Sequence, residues 1–268
     1  MTMSGIDEAQ GVGRVVHAND LDIYYEEYGE GPPLLILHGG TGTISHDPAF
    51  GAHFRVIAPN MRGHGRTANP TGLFSYALLA DDVAALIAAL GLVRPLIAGY
   101  SDGGNTALRL GMTHPDVARA LVLGGTWHRL SSTYIEGMQQ MLGLVGDDVP
   151  DVEQLAQTHP GFVSYWQETH AALGGPEYWK TLLRQMWPMW MTPPNDTEVD
   201  FHRIIAPTLV LIGDRDETVT LEDAVALYRL IPGAELGILP AASHLLEGRG
   251  DLYAELAIDF LIRNKGAA

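Results

Sequence analysis

Pro95-Leu96-Ile97-Ala98-Gly99-Tyr100-Ser101-Asp102-Gly103-Gly104 is the stretch from which the rest of this 268-residue chain can be read. The apolar run Leu96 to Ala98 predicts a buried strand, and Asn105 to Thr113 is compatible with a helix. Between them lies Gly-x-Ser-x-Gly, so strand, tight turn and helix follow in the order that a nucleophile elbow needs. Such a turn strains the serine backbone, and a Cβ at Gly99 or Gly103 would collide with the neighbouring strand or helix. The strain projects the Ser101 hydroxyl out of the sheet, where the next backbone N–H points from a helix N-terminus. With 31 glycines in the chain, chance produces this pentapeptide about 0.1 times, so its neighbours must decide its meaning.

Upstream, Leu34 to Leu37 is a continuous apolar run, as in a strand buried on both faces of a parallel sheet, and it ends in His38-Gly39-Gly40-Thr41-Gly42. Phe54 to Pro59 predicts another strand, followed by the loop Asn60 to Thr67. Arg14 to Tyr28 reads as a hairpin turning at Ala18-Asn19-Asp20, and residues 1 to about 12 as a frayed tail. Tyr76 to Leu90 is the clearest helix: Leu79, Val83, Leu86, Ile87 and Leu90 recur at helical spacing, and Gly91 stands where a C-terminal cap belongs. Downstream come strands at Ala120 to Gly125, Pro207 to Gly213 and Ala234 to Leu239, with helices at Leu221 to Leu230 and Leu252 to Arg263. Strands alternating with helices predict an α/β fold with a mostly parallel sheet.

One region breaks the alternation. Residues 126–203 show no strand pattern and carry Trp166, Trp179, Trp187 and Trp190 with Met138, Met141, Met186, Met189 and Met191. The expected division is therefore a core of residues 1–125 and 204–268, with a helical cap, 126–203, inserted after the sixth strand. Trp127, Met138 and Trp187 are its expected substrate-facing side chains, since aromatic and thioether groups make an adaptable apolar wall.

A hydrophobic content of 46% with 18% charged residues is that of a globular protein. A formal charge of −16 argues against nucleic acid or an anionic membrane as partner. No apolar run approaches a bilayer's thickness, and the N-terminus lacks the basic and apolar regions of a secretory leader. The absence of cysteine excludes disulfides and thiolate metal sites, and it favours a cytoplasmic location. The 11 histidines lack metal-ligand spacing, so neither a metal nor an organic cofactor is expected. The expected partner is a small-molecule substrate; the oligomeric state is left open, a homodimer included.

A serine hydroxyl needs a base to take its proton and a carboxylate to hold that base in the right tautomer. In an elbow fold these follow in the order serine, acid, histidine, on loops at the carboxyl edge of the sheet. Gly213-Asp214-Arg215-Asp216-Glu217 and Pro240-Ala241-Ala242-Ser243-His244 fill those places, with Asp214 and Asp216 both able to serve as the acid.

On these marks, together with His38-Gly39-Gly40 and Pro59 to Thr67, the chain resembles the α/β-hydrolase superfamily over nearly its whole length. The resemblance implies that Asp216, at the Gly-x-x-Asp spacing, is the acid partner of Ser101 and His244. It also implies an oxyanion hole built from the backbone N–H groups of Gly40 and Asp102, and structural rather than proton-carrying roles for His38 and His64. Asn60 departs from the family's usual Asp, which should alter a loop hydrogen bond. Serine at the nucleophile position separates the chain from relatives that use Asp to attack alkyl carbons. Ser-Asp-Gly-Gly is similar to the biphenyl-hydrolase-like branch, where such an acidic residue can receive a substrate ammonium; a carboxylate in a first helical turn also simply complements the helix dipole. The implied activity is hydrolysis of small carboxylic esters through an acyl-enzyme. Lactone, thioester, amide or C–C bond hydrolysis, perhydrolysis, hydroxynitrile cleavage and ligand reception are the alternatives.

Overall fold

Asn19 and Asp20 form a two-residue turn, Asn19 at φ 56°, between strands β1 (Val12–Ala18) and β2 (Leu21–Tyr28). The computed structural model describes residues 11–142 and 150–266; residues 1–10 of the expected N-terminal tail and the side chain of Met141 lie outside the described residues. Val12, at the end of that expected tail, already belongs to β1. After β2 come β3 (Pro33–Leu37), α1 (Pro48–Gly51), β4 (Arg55–Pro59), α2 (Tyr76–Ala89), β5 (Leu96–Tyr100), α3 (Asp102–Thr113) and β6 (Ala120–Gly124). The segment after β6 supplies α4 (Ser132–Leu142), α5 (Val152–Thr158), α6 (Pro160–Thr169), a 3₁₀ turn (Ala171–Leu173), α7 (Tyr178–Trp190) and α8 (Glu198–Phe201). Strand β7 (Thr208–Gly213), α9 (Leu221–Leu230), β8 (Glu235–Leu239) and α10 (Gly250–Asn264) complete the chain.

The eight strands form one sheet in the order β1-β2-β4-β3-β5-β6-β7-β8. Its first two pairings are antiparallel and the rest, from β4–β3 to β7–β8, are parallel. Side chains alternate faces along a strand, so the central apolar runs fill two cores. On one face Leu35, Ile97, Leu121 and Val210 pack with Val83 and Leu86 of α2, Leu110 of α3 and Leu227 of α9. On the other, Leu34, Leu96, Val122 and Leu209 pack with Phe50 of α1 and Ala257, Phe260 and Leu261 of α10.

Local signals set the helix ends. Ser75 accepts from the N–H of Leu78 at the start of α2, and Gly91 just beyond its end has φ +63°. The two shortest helices carry no readable periodicity; Asp47 caps α1 ahead of Pro48, and Thr197 and Asp200 form a capping box on α8. No helix among the described residues is long and apolar enough to cross a membrane.

Parallel register is what assembles the site. Leu37, Gly99 and Leu123 stand side by side across β3, β5 and β6, and Gly213 pairs with Leu239 across β7 and β8. The loops leaving these strand ends therefore emerge at one edge of the sheet.

Candidate active site

Ser101 sits between β5 and α3 at φ 53°, ψ −118°, a conformation that costs about 1–3 kcal/mol and persists only where its surroundings enforce it. The enforcement is close packing. A Cβ on Gly99 would lie 2.2 Å from the carbonyl oxygen of Gly103, and one on Gly103 would lie 2.1 Å from that of Leu37. The Ser101 N–H donates to Gly124 O at 2.8 Å, tying the turn to β6.

His244 Nε2 lies 3.1 Å from Ser101 Oγ, and His244 Nδ1 lies 2.8 Å from Asp216 Oδ2. A carboxylate only accepts, so Nδ1 carries the proton and Nε2 offers its lone pair to the serine hydroxyl. Asp216 Oδ1 accepts from the N–H groups of Thr218 and Val219 at 2.9 and 2.7 Å, and its side chain is fully buried. Tyr100 donates to His244 O at 2.8 Å, while the His244 N–H donates to Glu217 Oε2 at 3.1 Å. Asp214, the other candidate acid, is exposed.

The N–H groups of Gly40 and Asp102 have no acceptor among the described residues. The Asp102 side chain is buried, and each of its oxygens accepts one side-chain bond: Tyr76 donates to Oδ1 at 2.6 Å, and Trp190 Nε1 donates to Oδ2 at 2.8 Å. Burial raises its pKa above the ordinary carboxylate value, against the opposing pull of these two donors and of His244.

Three other histidines gather behind the loops. The His38 and His170 rings lie 4.9 and 5.6 Å from that of His64. His38 Nε2 accepts from the Met61 N–H, His64 Nδ1 donates to Arg62 O, and His170 Nδ1 accepts from the Gly65 N–H while its Nε2 donates to Thr41 O. Burial lowers all three pKa values, that of His38 to about 4, so they are neutral imidazoles. Among the described residues no three His, Asp or Glu side chains are placed to share a metal ion. Asn60 donates to Thr43 Oγ1 and accepts from the Arg66 N–H; the first bond has Nδ2 as donor, which an ionised Asp could not supply.

A cavity of about 200 Å³ opens over Ser101 and His244, lined also by Thr41, Trp127, Met138, Trp190, Leu245 and Leu246. Trp127 and Met138, two of the three side chains expected to face substrate, line it. Trp187 does not: it is buried beside α7's other core residues, and Trp190, three residues on, takes the place in the wall. Position along the axis is the physical reason: residues three apart share a helix face, and it is the last residue of α7, Trp190, that reaches Asp102. A second cavity of about 330 Å³ lies beyond Trp127 and Tyr76; neither Ser101 nor His244 borders it. Tyr76, Thr41, Trp190 and His170 had no sequence signal separating them from core or loop residues.

Residues 32–246 match the α/β hydrolase fold family. The chain is 27% identical to 2-hydroxymuconate semialdehyde hydrolase of Pseudomonas putida, over 97% of each chain. Among solved structures it is similar to a meta-cleavage product hydrolase of Pseudomonas fluorescens, with a TM-score of 0.74 and 22% identity, covering 94% of this chain and 98% of that one. It is also similar to an enol-lactonase of Burkholderia xenovorans, with a TM-score of 0.73 and 21% identity, covering 93% of this chain and 100% of that one.

Proposed function

The chain belongs to the α/β-hydrolase fold family, and from that premise we propose that it is a serine hydrolase of small, uncharged carboxylic esters. The observation that carries this reading is the relay Ser101 Oγ, His244 Nε2, His244 Nδ1, Asp216 Oδ2, with spacings of 3.1 and 2.8 Å. Ser101 Oγ attacks the ester carbonyl carbon as its proton passes to His244 Nε2, and Asp216 stabilises the imidazolium. The carbonyl electron pair becomes an oxyanion facing the Gly40 and Asp102 N–H groups, whose removal singly typically costs 10²–10³ in rate. Collapse expels the alcohol, which takes the proton from His244, and a water repeats the sequence on the acyl-enzyme to release the acid. The segment 126–203 serves as a cap that roofs this chemistry.

Charge selects the substrate class. The cavity over Ser101 has no lysine or arginine among its lining residues. A carboxylate-bearing substrate would lose hydration there without gaining a cation. Cleavage of a carbon–carbon bond beside a carbonyl is the second reading, favoured by the 2-hydroxymuconate semialdehyde hydrolase relative. Ser101→Ala should lower turnover of p-nitrophenyl acetate by about 10⁴-fold or more; retained activity refutes the mechanism. A neutral p-nitrophenyl butyrate should exceed mono-p-nitrophenyl succinate in kcat/KM by about tenfold or more. Equal rates, or faster cleavage of 2-hydroxymuconate semialdehyde than of any ester, would favour the second reading.

A further inference from the structure

Both oxyanion donors proposed above are braced by side chains that come from the helical segment between β6 and β7. On one side, His170 follows α6 and is wholly buried. Its Nδ1 accepts from the Gly65 N–H at 2.9 Å and its Nε2–H donates to Thr41 O at 3.0 Å. Thr41 adjoins Gly40, has φ +57°, and donates from Oγ1 to Gly40 O at 2.6 Å. The turn is closed by the Gly42 N–H on Gly39 O. A non-glycine residue at positive φ needs an external hold, and His170 supplies it at the carbonyl that fixes the turn's rotation.

On the other side, Trp190 ends α7 and donates to the side chain of Asp102, whose own N–H is the second donor. The two braces meet at Gly40. A Cβ there would lie 2.4 Å from Asp102 Oδ2 and 3.0 Å from Trp190 Cζ2, so the indole, the carboxylate and the glycine backbone are packed with no room for a side chain.

We infer that His170 and Trp190 are positioning residues for the oxyanion hole, so that the hole is complete only while the helical segment is seated on the core. The inference rests on the serine-hydrolase reading. It assigns the segment a share of transition-state stabilisation besides walling the cavity, because the two donors serve the oxyanion and not the ground-state ester.

A pair of ketones separates this role from simple packing. A trifluoromethyl ketone accepts Ser101 Oγ at its carbonyl carbon; the serine proton passes to His244 and the carbonyl electron pair becomes an oxyanion in the hole. The methyl ketone of the same chain length remains a ketone and reports only the fit of the cavity. His170→Phe should lower kcat for p-nitrophenyl acetate and weaken trifluoromethyl ketone inhibition by about tenfold, with KM and methyl ketone inhibition within about twofold. Trp190→Phe, which also alters the cavity wall, should weaken the trifluoromethyl ketone about tenfold more than the methyl ketone. If His170→Phe does not fold, His170→Gln, which can still offer a donor toward Thr41, should show a smaller loss in the same direction. Trifluoromethyl ketone inhibition unchanged in the variants, or both ketones weakened equally, overturns the inference. A wild-type protein that does not prefer the trifluoromethyl ketone overturns the hydrolase reading itself, and the inference with it.

Discussion

The parallel-sheet edge and the helical segment between β6 and β7 both supply the candidate site, but they hold their groups in different ways. At the sheet edge, Ser101, Asp216 and His244 leave strand ends whose register is set by backbone pairing and by glycines that admit no Cβ. In the helical segment, the decisive contacts are single side-chain hydrogen bonds, Trp190 to Asp102 and His170 to Thr41 and Gly65. Backbone register tolerates wide variation in side chains, whereas a lone buried hydrogen bond is lost with one substitution. On the proposed reading, the edge holds the reacting groups and the segment holds the braces of the two backbone donors.

The largest expected effect lies at the edge. Asp216→Asn leaves a group that can present either a donor or an acceptor to His244 Nδ1, and it should lower kcat by about 10⁴-fold through the wrong tautomer. Asp214→Asn, on the exposed side of the same loop, should stay within about twofold. Steady-state kinetics on one neutral ester checks both, and equal losses would break the contrast between the two carboxylates.

Where the two regions touch, Gly40→Ala should cost about 10²-fold in kcat, because its methyl group would strike Asp102 Oδ2 and the Trp190 ring. A fall confined to KM would instead mean that the contact only shapes the cavity.

The smallest effect is on stability, and pH reveals it. His38, His64 and His170 have pKa values below 6.5 in the folded chain, that of His38 about 4. Between those values the unfolded chain binds more protons than the folded one, so stability is full above about pH 6.5 and falls toward pH 4. Thermal scans should show Tm dropping by about 5 °C or more over that window. His170→Phe, lacking one of the three rings, should show a shallower drop; an unchanged slope would remove His170 from the cluster's proton linkage.

What the sequence made legible was whatever has a local cause. The elbow, the alternation of strands and helices, and the order serine, acid, histidine all rest on short patterns. The residues alone leave Asp214 and Asp216 open, and it is the family resemblance that implies Asp216, whose Oδ2 lies 2.8 Å from His244 Nδ1. Trp187 does not line the cavity, and composition could not foresee this because it reveals an aromatic segment but not which turn of a helix reaches the site; only the docking of α7 decides that Trp190 meets Asp102. His170 was illegible for a similar reason, since its partners Thr41 and Gly65 are more than a hundred residues away along the chain. Antiparallel pairing of β2 with β4 likewise depends on a contact that no short window contains.

The most direct measurement is the covalent state of Ser101 during turnover. Rapid acid quench of the protein with p-nitrophenyl acetate, followed by peptide mass analysis, should find an acetyl group on the peptide containing Ser101, and none on the same peptide in Ser101→Ala. Turnover with Ser101 unmodified, and undiminished in Ser101→Ala, would contradict the account.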